Sequence, residues 1–260
     1  PFYFGAVLSL FMTGYSLTLP PTPPARQGKG WAEAIGLPAL KMFRDPGFCV
    51  LIPCALCMAA IQQFYSIFTN PFLRDLHMPM PVLVQTIAQV AEVICMLIVP
   101  FVLRGIAMKA TLALGIFGWS VRNFIFATGS LEWVAALGLP LHGLCYTFFF
   151  IVANLYVDRH APTHLRASAQ GIFTCVSMGF GTLLGNFVSA RVLEANKIDG
   201  NISWTWFWLV PALASLVVLG IFLLAFREGH AVVVLDPPKR PTPNPQPSLS
   251  FAATVTRSAS

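Results

Sequence analysis

Apolar residues run along this chain in seven long stretches, at about 1–19, 48–70, 80–103, 110–128, 131–156, 168–192 and 204–226, with short polar or basic segments between them. A helix of about 20 apolar residues crosses the hydrocarbon core of a bilayer. The pattern therefore predicts an all-α integral membrane helical bundle with about seven transmembrane helices. The third stretch, MPVLVQTIAQVAEVICMLIVPFVL, carries one acid, Glu92, near its middle. An acid at the centre of a spanning helix costs about 2.5–3.5 kcal/mol on insertion scales. Something in the fold or the function must offset that cost.

Composition sharpens the class. Hydrophobic residues are 56% of the 260 and charged residues 10%, with a mean hydropathy of +0.71. Soluble domains carry about 25% charged residues, so a water-covered globular surface is excluded. The net charge of +6 does not imply nucleic acid, because the basic residues lie in loops without a concentrated face. Arg26, Lys29, Lys41, Arg44, Arg104, Lys109, Arg159, Arg166, Arg227, Lys239, Arg240 and Arg257 fall on one side of the seven spans, and Arg74, Arg191 and Lys197 on the other. By the positive-inside rule the first side is cytoplasmic. This predicts a multi-pass plasma-membrane protein (inner membrane in a Gram-negative cell) with a cytoplasmic C-terminus. The six cysteines lie in apolar runs, and the pair Cys54 and Cys57 has no second pair or nearby His, so neither a metal site nor a disulfide framework is expected.

The loop PPTPPARQGKGWAEAIGLPALKMFRDPG is the longest internal connection. Its prolines must stop the first helix. It then offers an amphipathic stretch in which Trp31, Ile35 and Leu40 are available to lie on the membrane surface. A long basic loop between helices reads as a domain junction, and the proline-rich tail from Asp236 as disordered. The chain opens apolar at Pro1 with no basic leader, which is the expectation for a chain cut inside or just before a transmembrane helix.

Polar residues inside the spans are the candidate chemistry. Gln85, Gln89 and Glu92 stand at offsets of four and three, and so share one helix face. Such a stripe should meet other helices or water rather than lipid. The glutamines suit a simple interhelical hydrogen bond; Glu92 suits it less, because Gln would serve without a charge. Gln63 with Ser66, or Gln62 with Ser66, can line a cavity from the second run. His142 and Tyr146 lie one turn apart in the fifth, beside Phe148, Phe149 and Phe150. A lone His in an apolar helix is more often packed than functional, but an acid in another helix changes that balance. Arg122 is read as structural, near the outer end of the fourth run, snorkelling or pairing with Glu132. Ser177, Gly181, Gly185 and Ser189 recur every four residues, a small-residue seam that permits close helix contact. Asp158, His160 and His164 gather in a loop without ligand geometry. No catalytic set emerges, and an enzyme is not expected.

At these residues the sequence resembles the nucleoside:proton symporter family of the major facilitator superfamily. The segment LHGLCYTFFFIVANLYVDRHAPTHLRASAQGIF contains the family's R-x-S-A-Q-G at Arg166 to Gly171. The family's Q-x-x-E falls on Gln89 and Glu92, and its following P-F on Pro100 and Phe101. The resemblance implies that the seven runs are helices six to twelve of a twelve-helix transporter. Residues 1–19 would then be the last helix of the N-terminal bundle, 20–47 the cytoplasmic interdomain linker, 48–228 the C-terminal six-helix bundle, and 229–260 a cytoplasmic tail. Family substrate contacts in a Q-x-x-N pattern, placed from Phe72 and Leu73, fall on Gln63 and Ser66, with Asn replaced by Ser. A Tyr, an aromatic and an Asp of the tenth helix fall on His142, Tyr146 and Thr147.

The expected function is proton-coupled nucleoside transport by alternating access. Gln63, Ser66, Gln89, Glu92, His142, Tyr146 and Thr147 are the expected substrate contacts, and Glu92 and His142 the proton-coupling groups. The expected partners are a nucleoside, a proton, the lipid bilayer and further helices of the same chain, with no cofactor and no nucleic acid. A symporter for a sugar or another polar solute, and a membrane sensor or embedded enzyme, are the alternatives.

Overall fold

A computed structural model describes residues 2–20, 37–129, 132–198 and 200–228. Six helices are long and apolar enough to cross a membrane: α2 (Pro46–Asp75), α3 (Pro81–Gly105), α4 (Met108–Ala127), α5 (Trp133–His160), α6 (Arg166–Ala195) and α7 (Trp204–Ala225). Each overlaps one of the apolar stretches read from the sequence. The first stretch forms α1 (Phe2–Ser16), which is 15 residues long and shorter than the ~20 needed to span. Its side chains are exposed throughout residues 3–20.

Local chemistry sets the ends. Asp45 caps α2, its carboxylate accepting from the Phe48 amide at 2.9 Å, with Pro46 at the first helical position, where a missing N–H costs nothing. Left-handed His77 and Met80 turn the chain from α2 into α3. The Lys109 ammonium donates to the carbonyls of Leu223 and Phe226, neutralising the C-terminal end of α7. Residues 37–44 form a 3-10 helix that docks through buried Ala39 and Met42 while Leu40 stays exposed. Trp31 and Ile35, the other two expected surface anchors, lie outside the described residues, as does the proline-rich tail. A two-stranded ribbon, β1 (Lys197–Ile198) with β2 (Asn201–Ile202), links α6 to α7.

The core divides into two apolar clusters stacked along the bundle. One gathers Phe48, Leu51, Trp119, Phe149, Tyr156 and Phe222; the other gathers Phe64, Tyr65, Phe72, Phe126, Phe207 and Trp208. Glycines let the helices approach. A methyl on Gly115 would meet the Phe149 amide nitrogen at 2.7 Å, and one on Gly118 the Leu144 side chain at 2.6 Å, so α4 and α5 touch backbone to backbone. The small-residue seam is where the sequence places it. Ser177, Gly181, Gly185 and Ser189 are all buried, and the two glycines press on Leu56, Ala59, Ala60 and Gln63 of α2.

Two spans depart from regular α geometry, which the periodicity did not reveal. In α5 the segment Thr147–Ile151 is π-helical, and in α6 so is Cys175–Gly181. Such inserts often mark functional positions in helices.

Candidate functional site

Glu92, Arg122 and His142 meet inside the bundle from three different helices. Their depths match. Glu92 lies thirteen residues before the end of α3 at Gly105, and Arg122 fourteen after the start of α4 at Met108. At 1.5 Å per residue both sit about 20 Å from the same tight turn. α5 brings His142 to that level. Its neighbour Gly143 allows this, because a methyl there would meet the Ala91 carbonyl oxygen and the Glu92 nitrogen at 2.5 Å. The absence of a side chain at 143 thus presses α5 onto the backbone that carries Glu92.

The geometry forms a linear chain of contacts. Arg122 Nη1 lies 3.0 Å from His142 Nδ1, and His142 Nε2 lies 3.8 Å from Glu92 Oε2. Arg122 is fully buried. Its guanidinium carbon stands 4.1 Å from the Tyr65 ring centroid and 4.2 Å from that of Trp119. Desolvated cation–π contacts of this kind are worth about 2 kcal/mol. Tyr65 also stacks on His142, with centroids 4.6 Å apart and planes 13° from parallel. Tyr146 also lies beside the imidazole, its ring centroid 5.8 Å away and tilted by 33°. Of Glu92, Arg122 and His142, Glu92 is the most open, with a quarter of its side chain exposed. The arrangement can therefore exchange a proton at Glu92 while holding the imidazole and guanidinium dry.

Arg122 corrects the sequence reading. It lies five residues from the end of α4 at Ala127, near the outer end as expected. It does not snorkel; it turns inward, where two aromatic rings and an imidazole acceptor meet it. The side chain of Glu132, its expected partner, lies outside the described residues. Tyr65 and Trp119 were missed because each lies among several other aromatic residues of its own span. The matching depths of Glu92 and Arg122 from one turn were the available signal.

The remaining expected contacts are distributed around this centre. Ser66 is exposed on α2 and accepts from Gln62 Nε2 at 3.2 Å. Gln63 is half-buried, its stem against the Gly185 position of α6. Gln89 is exposed on α3. Thr147 is fully buried at the start of the π segment. Among the described residues no hydrogen bond joins Gln63, Ser66 or Gln89 to the Glu92–His142 pair. Two surface cavities lie at opposite ends of α3, away from the pair: one of about 510 Å³ beside Arg74 and Pro81, and one of about 370 Å³ beside Met108 and Arg159.

Residues 1–231 match the family model described as nucleoside H+ symporter. The chain belongs to the nucleoside H+ symporter family. It is 32% identical to YegT of Escherichia coli strain K12 over 241 residues, covering 88% of this chain and 57% of that protein. It is 29% identical to the nucleoside permease NupG of the same strain over 247 residues, covering 89% and 59%. A crystal structure of NupG superposes with a TM-score of 0.69 at 28% identity, over 87% of this chain and 60% of that one. A point mutant of NupG gives 0.72 over 86% and 60%. The chain thus spans somewhat less than two thirds of the length of the relatives it matches. The resemblance read from Arg166 to Gly171 and from Gln89 and Glu92 is borne out at the level of the family, and with it the helical transporter fold. As a nucleoside H+ symporter family member with six candidate spans, the chain is a membrane-embedded, multi-pass protein.

Proposed function

We propose that this chain supplies the C-terminal part of a transporter that couples nucleoside movement to protons, with Glu92 as the proton-carrying group. The observation that supports this most directly is the approach of Glu92 to His142 within the bundle at 3.8 Å, in a family whose relatives include proteins named nucleoside permease and xanthosine permease. A carboxylate there costs stability unless it changes state in use, and proton loading on one side with release on the other is such a use. Gln63, Ser66 and Gln89 offer hydrogen-bonding groups suited to base edges and ribose hydroxyls, and Tyr146 offers a stacking face. Residues 1–19 would close the preceding bundle, 20–47 would link the bundles, and the two bundles would rock about the substrate. The charge bias of the loops supports a cytoplasmic C-terminus. A reporter fused after Arg240 should then face the cytoplasm and one near Lys197 the outside; finding both on one side would remove α7 from the span count.

The deciding experiment uses the full-length protein in cells and in proteoliposomes with labelled uridine. Glu92→Gln keeps size and hydrogen-bonding capacity but cannot carry a proton. It should abolish accumulation against a gradient while substrate exchange persists. Wild-type accumulation by this variant would make Glu92 a packing residue.

A further inference from the structure

We infer that Arg122 fixes the form in which His142 meets Glu92: a neutral imidazole with Nδ1 bare and its single proton on Nε2. A guanidinium has donors and no acceptor, and it stays charged in proteins. Its Nη1 stands 3.0 Å from His142 Nδ1. That nitrogen must accept, so it carries no hydrogen. The one imidazole proton is left on Nε2, the atom facing Glu92 Oε2.

The arrangement is held from several sides. The Tyr65 and Trp119 rings both lie against the guanidinium, and the Tyr65 ring also stacks on the imidazole. Neither partner can turn without breaking a stack. A second proton on His142 would have to go to Nδ1, directly against a guanidinium N–H. Tyr65 from α2, Glu92 from α3, Arg122 from α4 and Tyr146 from α5 are the titratable or charged groups that face the imidazole, with Cys95 near Glu92 and Cys145 near Arg122. Arg122 and Glu92 are the two of these charged in their ordinary state near neutrality.

Arg122 is thus a positioning residue. Through it His142 presents its N–H on the side of the Glu92 carboxylate, 3.8 Å away, and is withdrawn as a proton carrier. Of the two expected coupling groups, Glu92 takes the proton onto its own carboxylate oxygen and returns it from there, while His142 keeps the same single proton throughout. This functional consequence rests on the transport reading above; the tautomer itself does not.

Nitrogen-15 NMR of histidine-labelled full-length protein in lipid nanodiscs tests it, with the His142 signals assigned by their loss in His142→Gln. The expected result is a bare Nδ1 and a protonated Nε2, unchanged from about pH 5 to about pH 8, across the ordinary histidine range. A protonated Nδ1, or an imidazolium appearing within that range, would overturn the inference. In Arg122→Met the lock should be released, giving mixed tautomers or titration in the same range, and Arg122→Lys should restore the bare Nδ1. An Arg122→Met protein that folds and keeps the wild-type His142 spectrum would equally overturn it. These spectra are read without transport, so failed uptake with the expected tautomer counts against the transport reading alone.

Discussion

The α2–α6 seam and the α3–α4–α5 contact both rest on missing side chains, yet they carry different loads. At the seam, Gly181 and Gly185 let α6 lie on Ala59 and Ala60. The seam's two hydroxyls are satisfied within their own helix: Ser177 donates to the Phe173 carbonyl at 2.6 Å and Ser189 to that of Asn186 at 3.2 Å. Among the described residues, neither seam serine bonds across to α2. At the other contact, Gly143 performs the same steric service, but polar side chains from three helices, two of them ordinarily charged, meet across the gap. There Arg122 Nε and Nη2 and Trp119 Nε1 have no hydrogen-bond partner among the described residues. A small residue between helices is therefore neutral about function. What matters is whether the close approach brings polar groups of different helices into register.

The largest expected effect separates the two regions outright. Glu92→Gln should reduce accumulation in proteoliposomes to simple equilibration, whereas no single seam serine should change the driving-force dependence of uptake. Next comes His142→Leu, which leaves the Arg122 guanidinium with ring faces but no acceptor. Leaving a buried donor without its acceptor costs about 1–3 kcal/mol, and more when the donor is charged. Thermal unfolding in detergent should show a loss well beyond that of any seam serine variant. A silent His142→Leu would mean that the two aromatic faces suffice for the cation.

That contrast was only half visible in the sequence. The spans and the seam were legible because hydrophobic runs and a four-residue repeat are local features, and a helix turns every local repeat into a face. Glu92 stood out because an acid in an apolar run has few explanations. The inward turn of Arg122 was not legible because it depends on which helices are neighbours, and charge near a span's end has a bland account in snorkelling. The contributions of Tyr65 and Gly143 are purely tertiary: one is an aromatic among many, the other a glycine whose value lies in what it presses against. The π segments likewise leave no mark on hydrophobic periodicity.

A matched pair of glycine variants sharpens the comparison at intermediate size. Gly143→Ala drives a methyl into the Ala91 and Glu92 backbone, and Gly185→Ala drives one into the Ala60 carbonyl and Cα at 2.5 and 2.6 Å. Backbone cannot swing aside, so each should destabilise by about 1–3 kcal/mol through overpacking. The two should differ in function. Gly143→Ala moves His142 relative to Glu92 and should change the pH profile of uptake, while Gly185→Ala should lower the amount of active protein with its pH profile intact. Identical profiles would show that α3 and α5 can separate slightly without disturbing the proton group.

The smallest effect is expected at Thr147, between the two kinds of region. It is fully buried at the start of the π segment, and its hydroxyl has no hydrogen-bond partner among the described residues. A buried hydroxyl without a partner forgoes water and gains nothing in return. Thr147→Val keeps the branched shape and removes that penalty, so it should be neutral or stabilising by up to about 1 kcal/mol. If Thr147 only packs, uptake at saturating and at limiting uridine should both match wild type. If it reaches substrate when the π segment shifts, the Michaelis constant for uridine should rise several-fold while thermal stability stays level or improves. A stable variant with weakened uptake would place Thr147 in the substrate contact set, in a conformation other than this one. A destabilised variant would mean that the hydroxyl has a partner after all, and that the π segment depends on it.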